Sequence, residues 1–222
     1  MSISLNLQSV RKLIPPTVEL VCVSKFHSSE AIMEAYSTGE RSFGESKVQE
    51  LCQKQEHLPS DIKWHFIGHL QTNKVKYLVP FVHLIHGVDS YKLLEEIDRQ
   101  AAKANRIVDC LLQVHIAQEE TKFGFSPKEL IEMLFTGEWA NLKHARVCGL
   151  MGMATFTDNE AQIRTEMQSL KQLFDSVKRD FFECNDAFSQ LSMGMSDDYQ
   201  IAIEEGSSIV RVGSRIFGER IM

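Results

Sequence analysis

Short, β-rich apolar runs recur eight times along this chain with helical patterns filling most of the gaps, and few folds accommodate that alternation. The runs are Val18–Val23, Arg41–Phe43, Ile62–Ile67, Val82–Ile85, Ile107–Val114, Ala145–Leu150, Phe188–Met193 and Ile209–Val212. The first follows Pro15-Pro16 and ends in Ser24-Lys25, after which Ser28-Ser29-Glu30 opens a helical pattern through Tyr36. Later, Leu93, Leu94, Ile97 and Ala101 share one helical face with Glu95, Glu96 and Arg99 opposite, and Met167, Leu170, Phe174 and Val177 repeat the arrangement. Strands separated by helices pair in parallel. Eight such units in about 200 residues sit at the lower size limit of a closed barrel, whereas an open doubly wound sheet carries fewer strands. The expected fold class is α/β: one domain over residues 1–222, a single (β/α)8 TIM barrel. Leu5–Ile14 reads as an extra N-terminal amphipathic helix covering one end of it.

Composition narrows the partners. With 24 Lys+Arg against 30 Asp+Glu the net charge is −6, so no positive field gathers nucleic acid or anionic lipid. Hydrophobic residues at 43% and charged ones at 24% are ordinary for a globular chain. The five cysteines, Cys22, Cys52, Cys110, Cys148 and Cys184, are far apart with no C-x-x-C pair, and read as free thiols in a reducing compartment. No apolar run is long enough to span a membrane and no secretory leader is visible, so the cytoplasm is the expected location. Eight histidines include the close pairs His65/His69 and His83/His86, but none sits in an H-E-x-x-H helix and no metal is expected. His65 is expected on the interior face of the third strand.

In a barrel, chemistry gathers where strands end. Side-chain alternation puts Val21, Val23 and Lys25 on one face of the first strand, and if the valines face the axis the lysine does too. An ammonium entering an apolar mouth loses hydration and yields the free amine that a carbonyl-directed nucleophile needs; snorkelling to solvent is the ordinary reading of a lysine at a strand end. On the last strand, Val210 and Val212 occupy one face and Arg211 the other, which points Arg211 inward. An interior guanidinium requires acceptors, either a ligand or an acidic residue such as Glu45 at the tip of the second strand. Ser192-Met193-Gly194 and Gly213-Ser214 lie at the tips of the seventh and eighth strands, where backbone N–H groups commonly cradle a phosphate, and Ser192 and Ser214 add hydroxyl donors. A turn is the ordinary reading of either glycine-serine pair. Amine, arginine and phosphate cradle together suit pyridoxal 5'-phosphate (PLP), held as an imine through lysine.

The tracts Val21–Lys25, Phe43–Glu45, Val48–Glu50, Trp64–Lys74, Leu191–Ser196 and Val210–Phe217 resemble the pyridoxal phosphate homeostasis proteins, over nearly the whole chain. The resemblance implies a barrel like the N-terminal domain of alanine racemase, with PLP in Schiff-base linkage to Lys25. It implies phosphate contacts from Ser192 and the Gly213-Ser214 backbone, Arg211 beside the cofactor, and Met193 lining the pocket. It also implies a carrier or buffer that supplies PLP to apoenzymes and has no turnover of its own. Two positions depart from the family pattern: Ser46 stands where asparagine is usual after Gly-Glu, and His115 where asparagine is commoner at the end of the fifth strand.

Two other functions compete with the carrier. A PLP-dependent amino-acid racemase needs a second acid/base group opposite the lysine, which alanine racemase takes from an additional domain; the chain stops at Met222 and leaves no room for one. A phosphate-ligand enzyme without pyridoxal would bind no chromophore. The small barrel is expected to be a monomer.

Overall fold

The computed structural model describes residues 2–117 and 123–218. Alternation in the sequence becomes alternation in space. The strands are β1 (Glu19–Val23), β2 (Ser42–Glu45), β3 (Lys63–Phe66), β4 (Leu84–Val88), β5 (Val108–Val114), β6 (Ala145–Gly152), β7 (Gln190–Ser192) and β8 (Ile209–Val212). They pair in parallel in chain order, and β8 returns to β1 with Arg211 opposite Val21, which closes the expected (β/α)8 barrel.

The helices are α1 (Ile3–Arg11), α2 (Ser29–Ser37), α3 (Val48–His57), α4 (Val75–Leu78), α5 (Tyr91–Lys103), α6 (Pro127–Phe135), α7 (Glu160–Phe181), α8 (Tyr199–Glu204) and α9 (Ser214–Phe217). Local chemistry sets their starts. The Ser28 hydroxyl accepts from Ala31 N ahead of α2, and Ser126 forms a reciprocal capping box with Glu129 ahead of α6, with Pro127 in the first turn.

Two apolar layers follow from the two faces of each strand. Val21, Leu84, Leu111, Cys148, Met151 and Ile209 fill the barrel interior. Leu20, Cys22, Phe43, Val210 and Val212 point outward into the larger layer beneath the helices. The first and last strands therefore present the faces their alternation predicts.

Three details differ from expectation. β4 lies further along the chain than Val82–Ile85, and its pairing with β5 shifts register between Ile85 and Val88. β7 is only three residues long, shorter than Phe188–Met193. Helix α1 packs against α2 and α9 in the outer layer, with Leu7 and Val10 buried and Asn6 Nδ2 donating to Ile216 O at 3.0 Å, so it braces the seam between the ends of the chain.

Candidate functional site

The C-terminal ends of β1, β6, β7 and β8 enclose a cavity of about 240 Å³ whose walls include Lys25, Met153, Ser196, Arg211, Gly213 and Ser214. The lysine reaches it because Val21 and Val23 precede it on the inward face of β1. Its backbone is clamped from the other side of the wall. Ser24 points outward, where its hydroxyl donates to Glu45 Oε1 at 2.7 Å. Lys54 Nζ, from α3, donates to that same oxygen at 2.7 Å, to Ser24 O at 2.9 Å and to Glu50 Oε1 at 2.7 Å. Glu50 Oε1 also accepts from Phe26 N at 2.7 Å. The residues on either side of Lys25 are thus both tied to one ionic cluster, and Phe26 takes a left-handed φ of 67° where the chain turns out of the strand. Burial pushes the Glu45 carboxyl up, opposed by its bonds to Lys54 and Ser24.

Arg211 points inward, as β8 alternation predicts, and is 3% exposed. The alternative pairing with Glu45 does not form. Phe43 and Glu45 share the outward face of β2, so the barrel wall separates that carboxylate from Arg211, and Lys54 takes it instead. Arg211 Nη1 donates to Ser192 Oγ at 2.5 Å and Nη2 to Gly152 O at 3.1 Å. Burial draws its pKa down to about 10, with Asp198 opposing, so the group remains a cation at neutral pH.

Gly213 packs hard against β1. A Cβ there would stand 3.1 Å from Val23 O and 3.3 Å from Val23 Cβ, so a side chain would press the two strand tips apart. Its N–H donates to Ser196 Oγ at 3.1 Å. Ser214 begins α9 and is exposed, and the N–H groups of Ile216 and Phe217 in that turn both donate to Gly213 O at 2.9 Å.

Two of the six residues singled out from sequence lie elsewhere. Ser192 is fully buried beneath Arg211, and its hydroxyl is engaged by Arg211 and by His86 Nδ1 at 3.0 Å. Met193 is not in the cavity wall: alternation puts it with Leu191 in the outer layer. The loop beyond β7 supplies Met195 and Ser196 in their place. Alternation along Leu191–Met193 carried that information; the position of Ser196 in an irregular loop had no comparable signal. Among the described residues no group of three His, Cys, Asp or Glu side chains is arranged to hold a metal ion.

A family model described as the N-terminal domain of alanine racemase matches residues 2–221. The chain belongs to this family. Among its relatives is a pyridoxal phosphate homeostasis protein of Aquifex aeolicus, 44% identical over 204 residues that make up 91% of this chain and 87% of that one. Another protein of that name, from Synechocystis, is 35% identical over 94% of each chain. PipY of Synechococcus elongatus superposes with a TM-score of 0.91 in its PLP-free structure, at 35% identity over 97% of this chain and 100% of that one. Its structure with PLP bound gives 0.88 at 34% identity, with the same coverage. Alanine racemase of Clostridium difficile, at 13% identity and a TM-score of 0.78 over 56% of its own length, shares the barrel fold.

Proposed function

We propose that this chain binds pyridoxal 5'-phosphate at Lys25 and acts in PLP homeostasis, holding the cofactor and releasing it to PLP-dependent apoenzymes. One observation carries this reading: a single cavity brings together the Lys25 amine, the Arg211 guanidinium and the Gly213-Ser214 turn. These residues fit the cofactor. Lys25 Nζ would form the carbon–nitrogen bond with its aldehyde, with loss of water. Ser214 and the Gly213 backbone would meet the phosphate, with the Ser196 hydroxyl beside them. Arg211 would face the pyridine ring. PipY, a relative that the chain matches over nearly its whole length, has been seen with PLP bound, which supports the same ligand here.

When bound, PLP supplies an electron sink for carbanion chemistry, strongest when its ring nitrogen is protonated. A cationic Arg211 beside that nitrogen disfavours the protonation, and so favours holding the cofactor over turning over amino acids. Ser192 belongs to this reading as the residue that seats Arg211. The homeostasis names of the relatives point the same way. We place the protein in a reducing, cytoplasmic setting, in keeping with its free cysteines, and take residues 1–222 to work as one domain and as a monomer. No helix among the described residues is long and apolar enough to cross a membrane.

A PLP titration followed by absorbance tests the assignment. The native chain is expected to develop a saturable visible band that Lys25→Ala lacks, and to racemise or decarboxylate no amino acid. An unchanged spectrum on adding PLP contradicts binding. Saturable turnover lost in Lys25→Ala contradicts the carrier role and supports a racemase-like enzyme.

A further inference from the structure

Beneath Arg211 a file of polar side chains runs through the apolar interior of the barrel to its other end. Ser192 Oγ lies 2.5 Å from Arg211 Nη1 and 3.0 Å from His86 Nδ1. His86 Nε2 lies 3.0 Å from His65 Nδ1. His65 Nε2 lies 3.5 Å from Glu19 Oε1, an ion-pair distance, and among the described residues that nitrogen has no hydrogen-bond partner. Glu19 Oε1 also accepts from Ser42 Oγ at 2.6 Å. Ser192, His65 and His86 are fully buried, whereas the Glu19 side chain is 32% exposed, at a second cavity of about 290 Å³ shared with His83, Asp109 and Arg146. Glu19 opens β1 and Lys25 follows its end, so roughly 20 Å of strand separates them.

The direction of this file can be deduced. A guanidinium only donates, so Ser192 Oγ accepts from Arg211 and its own proton goes to His86. His86 Nδ1 is then an acceptor, and its proton sits on Nε2, facing His65 Nδ1. His65 in turn carries its proton on Nε2, facing an ionised carboxylate that can only accept. The Arg211 end sets the sense of the links as far as His65, whose Nε2 faces the Glu19 carboxylate at 3.5 Å without closing a hydrogen bond.

We propose that Glu19, His65 and His86 are positioning residues for Arg211: a one-way hydrogen-bond relay fixes both imidazoles as neutral Nε2–H tautomers and holds the guanidinium in one orientation at the cofactor cavity. Two groups of the file have a settled charge. Burial, with His65, Arg211 and His83 nearby, holds His86 well below the ordinary histidine value, and so neutral. Burial raises the Glu19 carboxyl, but His65 and Ser42 outweigh it and bring the pKa to about 2, so the acceptor end stays charged.

The relay is internal to the chain, and only its effect at the cavity rests on the PLP reading. The test therefore has two arms. In 15N-histidine-labelled full-length protein at pH 7 without added PLP, multiple-bond 1H–15N correlations are expected to show His65 and His86 each protonated on Nε2 alone. An Nδ1–H form or a doubly protonated ring at either position overturns the relay, whatever the protein binds. In the second arm, Glu19→Ala should alter the His65 pattern and weaken PLP binding about fivefold, the scale of one lost ionic contact. Glu19→Gln, which restores an acceptor oxygen, should recover most of that loss. Native PLP affinity and native histidine signals in Glu19→Ala would overturn the positioning role. An absence of PLP binding by the native chain overturns the positioning role together with the proposed function, and leaves the tautomer assignment to stand or fall on the first arm.

Discussion

At the N-terminal end of the barrel Arg146 is gripped by Asp109 through two bonds of 2.6 and 2.9 Å, while at the C-terminal end Arg211 rests on one hydroxyl and one carbonyl. The first cation is half exposed and bonded to a carboxylate; the second is buried and, among the described residues, hydrogen-bonded to neutral oxygens, with Asp198 acting on it without a direct bond. Burying a guanidinium with no carboxylate bonded to it costs stability, so its presence calls for another partner. The same contrast recurs within the C-terminal mouth. Lys54 is enclosed by Glu45, Glu50 and Ser24, whereas Lys25 stands in the cavity wall. Lys54 and Arg146 are held by carboxylates of the fold, and Lys25 and Arg211 line the cavity where a ligand can reach them.

This comparison can be broken at either side. Lys54→Met leaves the Glu45 carboxylate buried without its cation, and should cost about 3–5 kcal/mol in chemical denaturation. Lys25→Ala should leave the denaturation midpoint near the native value; equal losses for the two lysines would erase the distinction. Arg211→Met is expected to weaken PLP binding roughly thirtyfold, the scale of one hydrogen bond to a charged group, in an absorbance titration. The cofactor-free variant should melt no lower than the native chain, because a desolvated cation has been removed. Gly213→Ala brings a methyl against Val23, and should cost about 1–2 kcal/mol in stability along with part of the PLP affinity. Arg146→Met at the other end should cost less than about 1 kcal/mol and leave PLP binding unchanged.

The smallest effect concerns acid. The Glu19 pKa is depressed from 4.5 to about 2 in the folded state, so its contribution is complete above 4.5 and is lost as the pH falls toward 2. Glu19→Gln should therefore flatten the stability profile in that interval and leave its slope above pH 5 unaltered.

Much of this was legible in the residues, and the limits are physical. Period-two alternation orients a strand without reference to the rest of the chain, so Arg211 could be assigned to the interior, and Lys25 to the face of Val21 and Val23, from five-residue windows. The same rule separates Glu45 from Arg211 by the barrel wall and sends Met193 outward with Leu191. Alternation is silent about depth. Ser192 shares the inward face but lies below the cavity, and its hydroxyl serves Arg211. Partners across strands were beyond reach as well. The His65–His86 and His86–Ser192 contacts depend on how separate strands are brought together in the closed barrel, which no local window contains. The helix caps at Ser28 and Ser126 depend on near neighbours, which is why the start of α2 could be placed directly from its sequence.

The central claim is that Lys25 is the amine that holds the cofactor. Borohydride reduction of the PLP-loaded protein, followed by peptide mass mapping, tests it directly. The account predicts one pyridoxyl group on the peptide containing Lys25 and none on that containing Lys54. A group on any other lysine with Lys25 unmodified, or no adduct at all, would contradict it.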